Sequence, residues 1–377
     1  MSSFEGVHQR VYVAIPANDE SEQIEGCLHA LEVQQGAAID GIVICLNNCT
    51  DNSADIVRRS AIHAPFPVFT LDVLLPPERA CAGMARRLAM NHAADLAGPH
   101  GILLTTDADG RAPPDWVAAN LAALRSGADA VAGQAEIEPV GARLIPAHLH
   151  AIDAQECAYA RILDEIYWLL DPDPFDPWPR HDEHSGASIG VTVEAYRRAG
   201  GMPPACLAED RAFFEALKRV DGRIRHAPGV RVTVSARIVG RAVGGMADAM
   251  RRRMQRVDAL IDERLEPVGC ALRRIELRKR LRQVWEKEAM DKPSLVMLAA
   301  KLRIPVEELM RLTNTWYFGS AWAATEQCSL ILQRKPVTLV DLPTQMARAT
   351  CLRDTIGADL VRNREDPDDT GLRVAVE

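Results

Sequence analysis

Two aspartates separated by one residue, Asp107 and Asp109, directly follow the apolar run 101–106. In an extended turn, carboxylates at this spacing can point to the same side. Mg²⁺ and Mn²⁺ prefer oxygen ligands and commonly take one or two carboxylates together with substrate phosphates. The pair therefore predicts a divalent-metal site, although a helix cap or an Asx turn before a helix at Asp115 would explain the same residues.

A second acidic pair, Glu209 and Asp210, opens an amphipathic segment that we predict to be helical. Acids in the first turn of a helix are favoured by the helix dipole, and this alone could account for them. A carboxylate near a metal could instead act as a general base that takes the proton of an attacking hydroxyl. The pair by itself does not decide between these two interpretations.

Apolar runs alternate with helical periodicities over the first part of the chain, which is typical of βαβ units and a largely parallel sheet. The predicted strands are 11–15, 41–46, 66–74, 101–106, 131–135, 186–193 and 229–236, and the predicted helices include 20–33, 51–60, 81–96, 153–170 and 209–220. Ligands of such sheets bind outside the carboxyl ends of the strands. Three of these ends are polar or acidic, at 16–20, 47–51 and 107–110.

Taken in order, seven segments resemble the motifs of the family-two glycosyltransferases of the GT-A fold. They are 13–20, 47–53, 83–87, 106–109, 184–188, 200–202 and 208–210, within a matching region of about residues 9–245. Arg87 stands where the family usually has asparagine. The resemblance implies an α/β fold, a GT-A-type Rossmann-like mixed sheet flanked by helices, followed here by a C-terminal helical extension. It also implies a nucleotide-diphospho-sugar donor, a hexosyltransferase-like activity and a Mg²⁺ or Mn²⁺ ion.

The resemblance assigns roles to particular residues of this chain. The implied donor-binding set is Pro16, Ala17, Asn18, Glu20, Asn47, Asn48, Asp51, Gly83, Arg86, Asp107 and Arg237. The implied metal ligands are Asp107, Asp109 and His226. The resemblance also favours Asp210 as the general base of an inverting transfer, with Glu209 binding hydroxyls of the sugar or acceptor. Arg86 would contact the diphosphate or the base, but a surface cation is an equal alternative.

Two departures from the family pattern affect these expectations. The usual aspartate at the end of the second strand is replaced by Asn47 or Asn48, which leaves the identity of the base open. The Gln-x-x-Arg-Trp motif of processive synthases is missing, which argues against a polymerase. A catalytically degenerate GT-A scaffold and a sugar nucleotidyltransferase remain alternatives. Intact Asp107, Asp109 and Asp210 disfavour the first, and a first strand that ends without a glycine-rich loop disfavours the second.

The amino-acid composition restricts the classes of molecule that the protein could bind and where it could be located. A net charge of −8 and an aromatic content of 5% argue against a nucleic-acid binder. Nine cysteines without metal-ligand spacing predict free thiols in a reducing compartment. The first ten residues resemble no signal peptide, and no run reaches the roughly 18 apolar residues of a membrane span. We therefore expect a cytoplasmic protein that at most lies peripherally at a membrane surface.

The chain is predicted to divide near residue 245. Residues 1–245 would form the catalytic domain, with a nucleotide-binding half over about 10–110 and an acceptor half over about 111–245. Residues 246–377 are predicted to be helical, including 272–285 and 295–312, and to end in a frayed, disordered tail from Asn363. These helices could cover the acceptor, form a homo-oligomer interface or contact a membrane, but packing onto the catalytic domain is the simplest expectation.

Overall fold

The computed structural model describes residues 9–143, 145–235, 262, 264–286 and 292–365. The chain divides into two compact units. A sheet unit comprises the described parts of 1–145 and 183–255, and a helical unit comprises those of 146–182 and 256–377. Residues 146–182, which the sequence places in the acceptor half of the catalytic domain, thus belong to the helical unit. The reason is that their long helix carries a hydrophobic face that packs on C-terminal helices.

The sheet unit contains strands that alternate with helices. In chain order its elements are β1 Val11–Ala17, α1 Ile24–Glu32, β2 Gly41–Asn47, α2 Ser53–His63, β3 Val68–Val73, α3 Ala82–Ala97, β4 Ile102–Thr105, α4 Trp116–Arg125, β5 Ala130–Ile137, α5 Pro139–Ala142, β6 Ile189–Thr192, α7 Val193–Arg198, α8 Glu209–Arg219 and β7 Ile224–Val234. Helix α6, Ala147–Leu170, lies between α5 and β6 in the chain and belongs to the helical unit.

The seven strands form one mixed sheet in the order β3-β2-β1-β4-β6-β5-β7. Strands β1 to β4 are mutually parallel where they pair, and β5 is parallel to β7. Only β6 runs antiparallel to its neighbours β4 and β5. Every residue of β1 and β2 is buried, as expected for central parallel strands covered on both faces. This confirms the predicted mixed α/β sheet flanked by helices.

The sheet has a separate hydrophobic core on each face. One core contains α1 and α4, with the fully buried Trp116. The other contains α3 and α8, with the fully buried Phe213 and Phe214 of α8. Since α3 and α8 share one face, residues near their N-termini can approach each other at the same edge of the sheet.

The helical unit continues with α9 Val268–Trp285, α10 Lys292–Leu302, α11 Val306–Thr313, α12 Phe318–Cys328 and α13 Leu342–Glu365. The predicted single helix 295–312 is in fact two helices, because Arg303 has a positive φ of 53° and Pro305 precedes the second one. The chain is still helical to Glu365, beyond the predicted start of a frayed tail. No helix in the described part of the chain is long and apolar enough to cross a membrane.

Candidate active site

The carboxyl ends of three strands lie side by side at one edge of the sheet. Strand β1 pairs in parallel with β2 on one side and with β4 on the other. The polar segments after these strands are therefore neighbours, as the sequence predicts. Antiparallel β6 adds to this edge, because its first residue, Ile189, pairs with the last residue of β4, Thr105. The end of the segment before β6, including Gly186, thus lies near Asp107, and Arg86 donates hydrogen bonds to both residues.

Asp107 and Asp109 follow β4 in a β-turn, which a hydrogen bond of 2.9 Å from the Gly110 N–H to the Asp107 carbonyl closes, and not in the extended turn expected from the sequence. Asp107 and Asp109 are half-buried, whereas the residues that follow each of them, Ala108 and Gly110, are buried. Helix α4 begins only at Trp116, with Asp115 in the N-cap position. Neither aspartate of the pair is therefore a cap of that helix.

Arg86 links the segments that meet at this edge. Its guanidinium donates through Nη2 to Asp107 Oδ1 at 2.6 Å and through Nε to Glu209 Oε1 at 3.2 Å. Nη1 donates to Thr105 Oγ1 at 3.0 Å and to the Gly186 carbonyl at 2.7 Å. The Arg86 side chain is only 3% exposed, against 36% for Asp107. Arg86 is therefore not a surface cation, and much of its donor capacity orients carboxylates of the protein itself.

The charges around Arg86 do not balance. Burial alone would lower the pKa of Arg86, but Asp107 and Glu209 raise it overall, so the guanidinium stays charged. Burial raises the pKa of Glu209, outweighing the opposite effect of Arg86, and Asp210 and Asp107 add to the increase. Within the described part of the chain, the group thus sets three carboxyl groups against one cation, which is an excess of negative charge.

Glu209 and Asp210 occupy the first turn of α8, where the helix dipole favours them. The structure adds contacts that the dipole does not require. Asp210 Oδ2 accepts a hydrogen bond of 3.0 Å from the Gly186 backbone N–H, and Glu209 contacts Arg86. Asp107, Arg86, Gly186, Glu209 and Asp210 consequently form one continuous hydrogen-bonded group.

Two glycines permit the close approach within this group. A Cβ on Gly83, in the first turn of α3, would lie 2.1 Å from the Ala205 carbonyl oxygen and 3.0 Å from the Cβ of Glu209. A Cβ on Gly186 would lie 2.6 Å from Nη2 of Arg86. Position 83 therefore requires glycine, because a side chain would meet the backbone, whereas a side chain at Gly186 would displace the Arg86 guanidinium. Gly83 is predicted to bind the donor. In the structure it is the point at which α3 packs closely against the segment that leads into α8.

The two asparagines after β2 have different environments. Asn48, at a positive φ of 53°, uses its amide to accept from the Leu75 N–H and to donate to the Leu75 carbonyl, each at 2.9 Å. Asn47 is 1% exposed, and its Oδ1 has no hydrogen-bond partner in the described part of the chain. Asn18 Nδ2 donates to the Asn47 carbonyl at 2.7 Å and so connects the ends of β1 and β2. Asn47 is thus the better candidate of the two for a ligand contact.

Hydrogen bonds to the side chains of Asp19 and Asp51 connect the loops after β1 and β2. Asp19 Oδ1 accepts from the backbone N–H of Thr50 and of Asp51, while Asp51 Oδ2 accepts from the N–H of Ser21. Burial would raise the pKa of Asp51, but hydrogen bonds from Ser53 and Ser21 hold it far below its usual range. Asp51 is predicted to bind the donor. Both of its carboxylate oxygens accept hydrogen bonds from residues of the protein itself.

Three of the four remaining donor-set residues, Pro16, Ala17 and Glu20, lie at the same edge. Pro16 and Ala17 are the last two residues of β1 and are buried. Glu20 follows in the loop, with its N–H bonded to Ser53 Oγ at 2.7 Å. Arg237 lies outside the described residues. Whether these positions contact a donor stays a prediction.

His226, the predicted third metal ligand, lies in β7. Its Nε2 is 3.0 Å from Nε2 of His184, and the His184 ring stacks on Phe214 of α8 with centroids 4.4 Å apart. Among the described residues, one group of three side chains brings possible metal-binding atoms within 4.8 Å of one another, namely Asp19, Cys49 and Asp51. Asp107, Asp109 and His226, all of them described, do not form such a group by themselves. A metal at Asp107 and Asp109 would need ligands from its substrate, as Mg²⁺ commonly does.

The expectation that all cysteines are free thiols is wrong for one pair. Cys81 and Cys206 form a disulfide across 125 residues of sequence. Cys81 precedes α3 and Cys206 lies in the loop before α8, so the bond joins the same two segments that Gly83 and Arg86 bring together. Spacing could not predict a pair so distant in sequence. Of the free cysteines, Cys27 and Cys45 are buried, and burial raises the pKa of each to about 12.

We expect the double substitution Cys81→Ser/Cys206→Ser to lower the free energy of unfolding by about 2–5 kcal/mol, because the bond closes a long loop of the unfolded chain. Urea unfolding measures this effect, and the wild-type protein in excess dithiol should match the variant. The control is Cys157→Ser/Cys351→Ser, which removes two exposed free thiols. If alkylation of the unreduced, denatured protein modifies all nine cysteines, the bond does not exist.

Three contributors to this site are not evident from the sequence. Thr105 is predicted only as a strand residue, but its hydroxyl accepts from Arg86. His184 opens the segment 184–188 that resembles a family motif, but the sequence does not show that it pairs with His226 and stacks on Phe214. The third contributor is the bond between Cys81 and Cys206. The sequence signal for Thr105 is limited to its place at the carboxyl end of a strand, where ligands of such sheets bind.

No protein-family model matches this chain, and no curated protein matches it. Solved structures are similar to it at low identity. One is S. aureus TarS 1-349 in complex with UDP-GlcNAc, at 14% identity and a TM-score of 0.44, covering 90% of this chain and 79% of that one. Another is the mannosyltransferase PcManGT from Pyrobaculum calidifontis with GDP-Man and Mn²⁺, at 18% identity and a TM-score of 0.41, covering 95% and 87%.

A third similar structure is glucosyl-3-phosphoglycerate synthase from Mycobacterium tuberculosis with Mn²⁺, UDP and phosphoglyceric acid. It has 15% identity and a TM-score of 0.37, and the match covers 70% of this chain and 77% of that one. All three TM-scores are below 0.5.

Proposed function

We propose that this protein transfers a sugar from a nucleotide-diphosphate donor to a hydroxyl of a small-molecule or lipid-linked acceptor, with the help of Mg²⁺ or Mn²⁺. The observation that carries the proposal is the group of Asp107, Glu209 and Asp210 around one buried Arg86, at the carboxyl ends of β1 and β4. Its excess negative charge suits a divalent cation, and a bound cation would in turn attract the donor diphosphate.

Each part of the group has a role in this reaction. Asp107 and Asp109 would hold the metal from their accessible side, and the metal would stabilise the charge on the departing diphosphate. Asn47, whose buried Oδ1 has no partner among the described residues, would accept a hydrogen bond from the nucleotide base. Asp210, oriented by the Gly186 N–H, would take the acceptor proton, which makes the transfer inverting.

Thermal-shift measurements with nucleoside diphosphates and nucleotide sugars, each with and without Mn²⁺, test the proposal directly. A ligand present at a hundredfold excess over its Kd stabilises the folded protein by about 2.7 kcal/mol, so a metal-dependent rise in Tm should be evident. Asp107→Asn/Asp109→Asn should abolish the metal dependence. Asp115→Asn, at the start of α4, is the matched control and should leave it intact.

Other outcomes distinguish the alternatives. If no nucleotide produces a metal-dependent shift, the central claim fails, and a scaffold without activity becomes the better interpretation. Consumption of a nucleoside triphosphate together with a sugar phosphate would instead identify a nucleotidyltransferase. Slow metal-dependent hydrolysis of one nucleotide sugar is the result that the proposed transferase predicts.

A further inference from the structure

The helical unit contains a cavity with a volume of about 380 Å³ that no part of the proposed reaction uses. The residues that line it come from α9, from α10 and the turn after it, and from the short 3₁₀ helix Leu330–Leu332. They are Arg273, Glu276, Leu277, Lys301, Arg303 and Ile331. Half of them are cations, and two are aliphatic. An opening with this lining can hold a ligand that is both anionic and partly apolar.

Two of the three lining cations, Arg273 and Arg303, have no ion pair in the described part of the chain, whereas Lys301 has one. Glu276 pairs with Lys301 at 3.3 Å and with Arg280 at 2.6 Å. Within the described part of the chain, Arg273 and Arg303 take part in no ion pair, and both are exposed. The cavity therefore carries a local positive charge on a chain whose net charge is −8.

Other arginines of α9 show that this is not a general property of a basic helix. Arg274 is buried between Glu266 and Glu326, and Arg278 and Arg282 both pair with Asp171. Arg274 is thus neutralised inside the helical unit, and Arg278 and Arg282 share one carboxylate. Arg273 and Arg303 differ from these three, because neither has an ion pair within the described residues.

Exposed apolar side chains stand next to the lining residues. Met297 is 58% exposed and lies one helical turn before Lys301 on α10, so the two side chains share a face. Leu330 is 67% exposed and directly precedes Ile331. A free anion would gain nothing from these groups. A lipid bilayer would, because its headgroups are charged and its interior is apolar within a few ångströms of them.

We propose that this cavity is a membrane-docking site that binds the phosphate headgroups of anionic lipids, with Met297 and Leu330 entering the bilayer interface. Charge complementarity selects an anionic membrane, because lysines and arginines near such a surface are attracted to it, whereas a neutral membrane offers no such attraction. The inference does not depend on the proposed sugar transfer, and either can fail without the other.

Co-sedimentation of the full chain with lipid vesicles tests the site. The wild-type protein should bind vesicles of equal parts phosphatidylcholine and phosphatidylserine, should not bind phosphatidylcholine alone, and should dissociate as salt is raised. Arg273→Gln/Arg303→Gln should weaken binding on the order of thirtyfold. Met297→Ser/Leu330→Ser should weaken it at unchanged charge.

The matched control is Arg59→Gln/Arg125→Gln, which removes the same charge from exposed positions of α2 and α4 in the sheet unit. It should bind vesicles as the wild type does. All the substituted side chains are exposed, so circular dichroism and Tm should be unchanged. Failure of the wild type to bind anionic vesicles would overturn the proposal, as would equal losses in the control. A Tm increase with inorganic phosphate but no vesicle binding would also overturn it and would indicate a site for a free anion instead.

Discussion

Asp210→Asn is expected to reduce sugar transfer by about 10²–10⁴-fold, because an amide cannot take the proton of the acceptor hydroxyl. The substitution preserves size, and the asparagine oxygen can still accept from the Gly186 N–H. Donor binding and stability should therefore remain near their wild-type values. Turnover with the identified donor and acceptor, together with donor affinity from thermal shift, measures both parts of this expectation.

The control for this experiment lies on the same helix. Glu215 is exposed on α8 and pairs with Lys218 at 2.9 Å, so Glu215→Gln removes one acid without touching the site. It should change turnover little. Near-normal turnover of Asp210→Asn would contradict the role of Asp210 and would place the base elsewhere or make the mechanism retaining. A loss of donor binding with the loss of turnover would instead assign Asp210 to the donor pocket.

Arg86→Met is expected to lower the free energy of unfolding by about 3–5 kcal/mol, the usual cost of removing one partner from a buried ion pair. Asp107 and Glu209 would lose their shared cation, and Thr105 Oγ1 and the Gly186 carbonyl would each lose a donor. Repulsion among the remaining carboxylates should also disturb metal-dependent donor binding. Urea unfolding and the Mn²⁺-dependent thermal shift report the two effects separately.

Arg86→Lys keeps the charge but cannot reach four acceptors from one planar group, so we expect an intermediate loss of stability and a clear loss of donor binding. It also provides a measurable variant if the methionine protein does not fold. Arg197→Met is the control, because Arg197 is half-exposed and pairs with the exposed Asp95. Such a pair contributes at most about 1 kcal/mol. If Arg86→Met behaves like this control, Arg86 does not hold the site together.

The disulfide and Arg86 stabilise the same junction in different ways. Cys81 and Cys206 constrain the chain on either side of it, and Arg86 supplies the charge at its centre. Ala208, immediately before α8, adopts a left-handed backbone with φ 51°, which is unfavourable for a residue with a side chain. The contacts around Glu209 therefore hold the start of α8 in a conformation that the local sequence does not favour.

The sequence by itself determined the order and type of most elements and the three polar strand ends. Apolar runs such as 41–46 and helical periodicities such as 81–96 are local signals, and a parallel arrangement follows from their alternation. Asp107 and Asp109 could be placed at a strand end for the same reason. Their position beside the ends of β1 and β2 then required only the rule that parallel strands end at one edge.

Only the tertiary structure decided how Gly186 and Glu209 come to lie beside the end of β4 and Arg86. The antiparallel direction of β6 brings Gly186 to the end of β4, and Arg86 then reaches Glu209 across 123 residues of sequence. The bond between Cys81 and Cys206 and the inclusion of 146–182 in the helical unit are likewise long-range outcomes. Periodicity and spacing describe the neighbours of a residue along the chain, whereas these contacts depend on strand direction and on which helix faces find each other in the folded core.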